Sequence, residues 1–374
     1  GVAPAIVEKA AFDYSNLKEL TMDTDLYSVL ARKFNASIDT LKIYSGSTTE
    51  ISDQPSGSIS IDYKITVNNL IIGEGITRIG DFAFYGEEGE NNPWAVKKVE
   101  LPESLIEIGD YAFCKSAMTS VELPSNLNSI GNGAFNEAQL TSITIPARVE
   151  TIGDAAFSAS HLTSLTFEEN SKLTYIGNSA FSYNALTEVD FSPIKQKFEI
   201  SRQAFEGNNI TSVVISDVKL GTRVFDSNLK SMELIGDIEF DENLSSYYST
   251  TLNLNNLKIK SDTLQEIPAD AFDFDSSAVA TLEFLDETGT KVNSSIKTIG
   301  DSAFWNAKPT TLVLPTSLEV VGSGAFRYVN PTTFVMSPVI KIIEDFAFQS
   351  LTIGALTIPS TIESIGPQAF DSMP

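Results

Sequence analysis

A stacked solenoid of parallel coils, mostly β, is the fold that this sequence predicts. Three observations predict it. A six-residue box ending in phenylalanine recurs along the chain. A short alternating segment closed by proline lies between the boxes. The two alternate at a period close to 22 residues. A fixed period of this size marks a repeat architecture in which each coil is too small to bury its own core and shares one with its neighbours.

The box is clearest at Ile108-Gly109-Asp110-Tyr111-Ala112-Phe113. Versions of it end at Phe84, Phe135, Phe157, Phe181, Phe205, Phe225, Phe272, Phe304, Phe326, Phe348 and Phe370, and earlier ones at Phe12 and Phe34. Fourteen of the 23 phenylalanines therefore occupy one repeat position, which predicts a stacked aromatic spine. Within the box, glycine is expected to permit a tight bend. The following Asp or Asn is expected to cap one short helical turn, and the alanine to keep that turn close to the core.

The second motif is Leu140-Thr141-Ser142-Ile143-Thr144-Ile145-Pro146, with similar copies at Val96 to Pro102, Met118 to Pro124 and Leu356 to Pro359. Its alternation is that of a strand with one face inside. Proline cannot donate to a ladder, so it ends the pairing. A further apolar pair, such as Leu127 and Ile130, leads into the next box. The array is read as one solenoid of about 15 coils over residues 1–374, irregular around 45–68 and 235–262.

Composition sets the outer bounds. The chain has 374 residues, 42% hydrophobic, with a formal net charge of −24. A single compact core rarely exceeds roughly 300 residues, which again favours an elongated array. Acidity on this scale repels nucleic acid and anionic lipid. No apolar run reaches the roughly 18 residues that a membrane span needs. Gly1-Val2-Ala3-Pro4 lacks the basic and apolar stretch of an export signal, and the expectation is that such a signal has been removed. One cysteine, Cys114, excludes an intrachain disulfide framework, and one histidine, His161, leaves little material for nucleophilic catalysis.

Together, Ile-Gly-x-x-Ala-Phe and Leu-x-x-Ile-x-Leu-Pro resemble the BspA-like, or Treponema pallidum type, leucine-rich repeats. The resemblance spans roughly residues 5–374. It implies an α/β leucine-rich-repeat solenoid that is mostly β, right-handed and curved, with a parallel sheet on the concave side and short helical or 3-10 turns on the convex side. It also implies a secreted or surface-anchored bacterial protein that adheres to host proteins or to other cells. It carries no catalytic residues to transfer.

The register predicts which side chains face outward. The third strand position reads Glu19, Thr40, Lys98, Ser120, Ser142, Ser164, and onward to Thr333; the fifth reads Thr21, Lys42, Glu100, Glu122, Thr144, Thr166, and onward to Thr357. Neither column holds an aromatic or an arginine, the residues that concentrate binding energy. Two insertions exceed the 22-residue ruler, one at residues 85–94 and one around 285–295. The first joins Tyr85 and Trp94 to Glu87, Glu88 and Glu90, an aromatic anchor beside an acidic rim. With Glu100 and Glu122 on adjacent strands, it makes the candidate contact region for a basic partner. The alternative is that Trp94 folds back between coils.

The same acidic cluster, and a second at Asp237, Glu239, Asp241 and Glu242, could hold Ca²⁺. Neither shows the Asp-x-Asp-x-Asp-Gly spacing that converges oxygen ligands, and solvated charge is the favoured reading. No catalytic, cofactor or metal site is expected. The functional expectation is a non-enzymatic, extracellular, monomeric interaction or adhesion module with a protein partner, such as host matrix or another cell surface. A passive envelope spacer and a glycan-binding module are the alternatives.

Overall fold

The computed structural model describes residues 15–30, 35–54, 64–86, 94–241, 254–272, 279–353 and 355–373. Their contacts divide the chain into two compact units, Gly1–Leu186 with Ala204–Gly207, and Thr187–Gln203 with Asn208–Pro374. Each is a parallel β solenoid. One α-helix is described, Thr24–Leu30, whose first turn is capped by Asp23 Oδ1 accepting from Leu26 N at 2.7 Å. The early boxes ending at Phe12 and Phe34 lie outside the described residues.

Most of the described coils contribute to two ladders. In the first unit, the strands Ser15–Asp23, Ala36–Tyr44 and Ile65–Ile72 pair in parallel and continue to Trp94–Val96 and Val99–Glu100; Ser142–Ile145 pairs with Ser164–Phe167. Ser15–Asp23, Ala36–Tyr44, Ser142–Ile145 and Ser164–Phe167 lie where the alternating motif places them, whereas Ile65–Ile72 is a regular strand that begins inside the stretch expected to be irregular. The segments 119–123, 187–191 and 355–358 share the motif but form no strand. At the second of these, the Asp190 carboxylate accepts from Ser192 N and turns the chain.

The second ladder is built from pairs of residues: Glu50–Ile51, Arg78–Ile79, Glu107–Ile108, Ser129–Ile130, Thr151–Ile152 and Tyr175–Ile176. The return segment of each coil is thus itself a short strand. Between the ladders the chain turns at proline, with Leu127 N donating to Pro124 O and Val149 N to Pro146 O, both at 3.1 Å.

In the second unit two coils lack that proline. Ser212–Leu220 and Ser231–Phe240 run unbroken through the corner, with a register shift between Ser216 and Val218. Asp217 and Gly236 take left-handed φ of 49° and 80° at that bend. The irregularity expected around residue 235 is therefore a strand prolonged past its usual stop. Asn256–Lys260 and Thr281–Leu285 extend this ladder, and Glu266–Ile267, Thr298–Ile299, Val320–Val321, Ile342–Ile343 and Ser364–Ile365 form a second one.

The box folds as two successive turns with i to i−3 bonds, Ala83 N donating to Gly80 O at 3.3 Å and Tyr85 N to Phe82 O at 3.2 Å, and it forms no α-helix because the intervening amides pair between coils. Its amide groups donate to the neighbouring coil: Phe82 N to Asp110 O at 2.8 Å, Phe84 N to Ala112 O at 2.8 Å, Gly86 N to Cys114 O at 2.7 Å, with the same pattern in coil after coil. Donors committed between coils cannot propagate an i to i−4 helix. The left-handed residue is the one before the alanine (Phe82, Tyr111, Ala155 and Ser302, φ 51–57°) and not the box glycine.

That glycine serves a different purpose. A Cβ on Gly153 would lie 2.6 Å from Asn132 N, and one on Gly177 2.6 Å from Asp154 N. The coils approach so closely there that no side chain fits. The following Asp or Asn does not cap its own turn either. Asp110 Oδ1 accepts from Asn132 N at 2.7 Å, Asn132 Oδ1 from Asp154 N at 2.8 Å, and Asp154 Oδ1 from Asn178 N at 2.7 Å. It is a rung between coils.

The phenylalanines form the spine. Phe84, Phe113, Phe135, Phe157, Phe181 and Phe205 stack with centroids 5.2–5.5 Å apart and planes within 15°. Phe272, Phe304, Phe326, Phe348 and Phe370 do the same in the second unit, at 5.4–5.5 Å. Near-parallel rings at this separation are offset, the arrangement that the ring quadrupole favours.

Candidate functional site

The first ladder presents a grid of outward side chains. Ser142 lies opposite Ser164 and Thr144 opposite Thr166; in the second unit Ser212 faces Ser231 and Thr311 faces Thr333. These are the columns that the strand register predicts. One coil adds two members that motif reading passed over, because Asn256 continues one column between Ser231 and Thr281 and Lys258 the other between Glu233 and Glu283. The columns are largely self-neutralised. Lys42 pairs with Glu19 at 2.9 Å, Lys98 with Glu100 at 2.9 Å, Lys258 with Glu283 at 3.1 Å and Lys260 with Glu233 at 2.6 Å.

Of the predicted contact residues, Glu100 and Glu122 are exposed, Glu100 with its carboxylate on Lys98. Tyr85 is half-buried, its ring edge-on to Phe82 at 5.7 Å. Glu87, Glu88 and Glu90 lie outside the described residues. Trp94 is not an anchor. It is 2% exposed, opens the strand Trp94–Val96 in register with the inward Ile65, and packs edge-on to Phe84 at 5.4 Å and against Tyr27 at 6.1 Å. A ring so enclosed offers no face to a partner. The signal was the period-two spacing of Trp94 and Val96, which marks them as inward strand residues.

The chain matches the family model for the BspA type Leucine rich repeat region in six copies, over residues 5–88, 57–158, 91–199, 174–279 and 245–374. It belongs to the BspA-type leucine-rich-repeat family. Among solved structures, the BspA-type chain is similar to a leucine-rich repeat protein from Bacteroides ovatus ATCC 8483, at 20% identity and a TM-score of 0.47, over 82% of this chain and 76% of that one. It is also similar to a leucine rich cell surface protein from Faecalibacterium prausnitzii A2-165, at 15% identity and a TM-score of 0.27, over 95% and 75%. A third likeness is the pneumococcal vaccine antigen PcpA, at 20% identity and a TM-score of 0.27, over 98% and 78%. No curated protein matches.

Elsewhere on the BspA-type chain the chemistry is quiet. Cys114 is buried, its thiol pushed up to about 12 by desolvation, with Asn136 Oδ1 at 3.7 Å. His161 faces the carbonyl of Ala138 at 3.4 Å. The acidic cluster weighed for calcium in the second unit has its own cation: Lys197 Nζ lies 2.7 Å from Asp237 and 2.6 Å from Glu239. The insertion around 285–295 is a small hairpin closed by a bridge from Leu285 to Val292, with Asp286 Oδ1 accepting from Thr290 N at 2.9 Å. A shallow groove in the first unit runs past Ile106, Asn126, Arg148, Glu150 and Lys172. No described helix is long and apolar enough to cross a membrane.

Proposed function

We propose that the chain is a non-enzymatic, monomeric, secreted or surface-displayed bacterial protein that binds other proteins, and that adhesion to host matrix or to other cells is its role. One observation carries this reading. Inward positions of the ladders are apolar, whereas the outward columns are polar throughout most of their length, Ser and Thr in many coils with charged side chains at Glu19, Lys42, Lys98, Glu100 and Glu122. A rigid grid of polar and charged side chains on a repeated apolar core suits recognition.

Within that grid, the acidic edge of Tyr85, Glu87, Glu88, Glu90, Glu100 and Glu122 is the proposed contact region for a basic partner, without Trp94. The test is capture of fibronectin, laminin and collagen, and of epithelial cells, on immobilised protein at low and high salt. Capture that weakens with salt, and weakens further in Glu100→Lys with Glu122→Lys, is expected. Equal silence against every surface overturns the adhesion reading.

A further inference from the structure

The turn face of the second unit carries an arginine that the rest of the molecule does not use. Arg327 follows the box Phe326, and its guanidinium carbon lies 4.8 Å from the centroid of Tyr328 and 5.2 Å from that of Phe346 on the adjacent coil. Two rings thus hold one planar cation in place. Its Nε is buried without a hydrogen-bond acceptor among the described residues. The contrast is with those cations of this strongly acidic chain that are held in ion pairs. Lys42, Arg78, Lys98, Lys115, Lys197, Lys219, Lys258, Lys260 and Lys341 each meet at least one carboxylate. No such pair forms at Arg327 among the described residues.

The surroundings fit a contact surface. Trp305 holds the equivalent position one coil earlier and is 42% exposed. The adjacent Asn306 N donates to Arg327 O at 2.9 Å, which fixes the two coils side by side. Lys308 Nζ donates to Tyr328 O at 2.7 Å and adds a second cation, one that desolvation makes less favourable to protonate. Tryptophan, tyrosine and arginine together are the residue types that dominate binding energy at interfaces. A guanidinium already ordered by stacking loses little freedom on meeting a planar carboxylate.

We propose that Trp305, Lys308, Arg327 and Tyr328 form a docking surface for an acidic protein segment, a carboxylate of which pairs with Arg327 while an adjacent apolar side chain packs on Trp305. This rests on the protein-binding reading above but uses a different face and a partner of opposite charge to that of the acidic edge.

Trp305 supplies the readout, since the other tryptophan of the chain, Trp94, is buried. Capped Glu-Glu-Phe-Glu-Glu is titrated against the full chain while tryptophan emission is followed, with the Gln and Lys counterparts of the peptide as controls. The expected result is a saturable change with the glutamate peptide alone, about tenfold weaker in Arg327→Gln and reduced by added salt. Thermal melting shows that the variant remains folded. Arg327→Lys, which keeps the charge and loses the planar stack, is expected to fall between. No saturable change, an equal response to the Gln peptide, or unaltered binding by folded Arg327→Gln would each overturn the proposal. Matrix capture by the wild-type chain with no peptide response would defeat this surface alone. A peptide response without matrix capture would defeat the adhesion reading alone.

Discussion

The thiol of Cys114 illustrates how a reactive residue type becomes inert. The side chain is 2% exposed, and desolvation pushes the thiol up to about 12, with the Glu137 carboxylate adding to the shift and Lys115 opposing it. The nucleophile is the thiolate. Native protein is therefore expected to resist iodoacetamide at mildly alkaline pH and to label fully only in denaturant. Mass spectrometry of the native protein reads this directly, and rapid native labelling would contradict the burial. Phe157 is the hydrophobic counterpart. It is fully buried between Phe135 and Phe181, both at 5.2 Å. Phe157→Ala is expected to cost about 3–5 kcal/mol in urea unfolding, through lost transfer energy and the cavity left behind. Hydrogen exchange should speed up in the coils on both sides, because each coil leans on its neighbours. A loss below about 1 kcal/mol would mean that the spine is not where stability resides.

At the scale of the coil, the box glycine separates two explanations that motif reading merges. If glycine were there for a bend, alanine would cost little wherever φ is negative. A Cβ on Gly153 would instead lie 2.6 Å from Asn132 N and 2.7 Å from Gly131 C, so any side chain there must push two coils apart. Gly153→Ala is expected to destabilise by about 1–3 kcal/mol as an overpacking change, while Ala155→Gly, at a left-handed position, is expected to be neutral or stabilising. Comparable melting temperatures for Gly153→Ala and wild type would refute the close-approach account. The sequence carried the period, the phenylalanine spine and the outward columns, because those depend on polarity alternating with a fixed repeat. It did not carry the second ladder, since pairs such as Ser129–Ile130 are too short to show a period. Nor did it show that Asp110 and Asn132 bond between coils, because that bond runs to a residue 22 positions away and looks locally like a cap. Trp94 admits two readings in the sequence, because the acidic insertion before it suggests a loop; the strand begins at the tryptophan itself, and its ring folds back among the coils, as the alternative reading has it.

For the whole molecule the governing quantity is its charge of −24. Repetition turns composition into alignment, because a residue at a fixed position of each coil stacks on its equivalent about 5 Å away. The rung column reads Asp53, Asp81, Asp110, Asn132, Asp154 and Asn178, and like charges at that spacing repel. Two devices limit the repulsion. Asn132 breaks the run while keeping the side-chain acceptor that the rung needs, and Asn178 ends it uncharged, donating Nδ2 to the Asp154 carboxylate. Arg78 closes the other end, reaching Asp53 at 2.7 Å, Asp81 at 2.9 Å and Glu107 at 2.9 Å across three coils. Local pairing cannot neutralise a chain with 49 acidic and 25 basic side chains, however, so net self-repulsion remains in the folded state. Salt screens that repulsion over a Debye length of about 10 Å at 0.1 M, and it screens the exposed ion pairs too, which contribute little individually. The surplus carboxylates outweigh the pairs, so raising sodium chloride from about 20 to about 500 mM, where the Debye length shortens severalfold, is expected to raise the melting temperature. Arg78→Gln should steepen that dependence, because it frees three carboxylates at one end of the column. A melting temperature that falls with salt would show instead that the ion pairs, and not the unpaired acids, dominate the electrostatics of the fold.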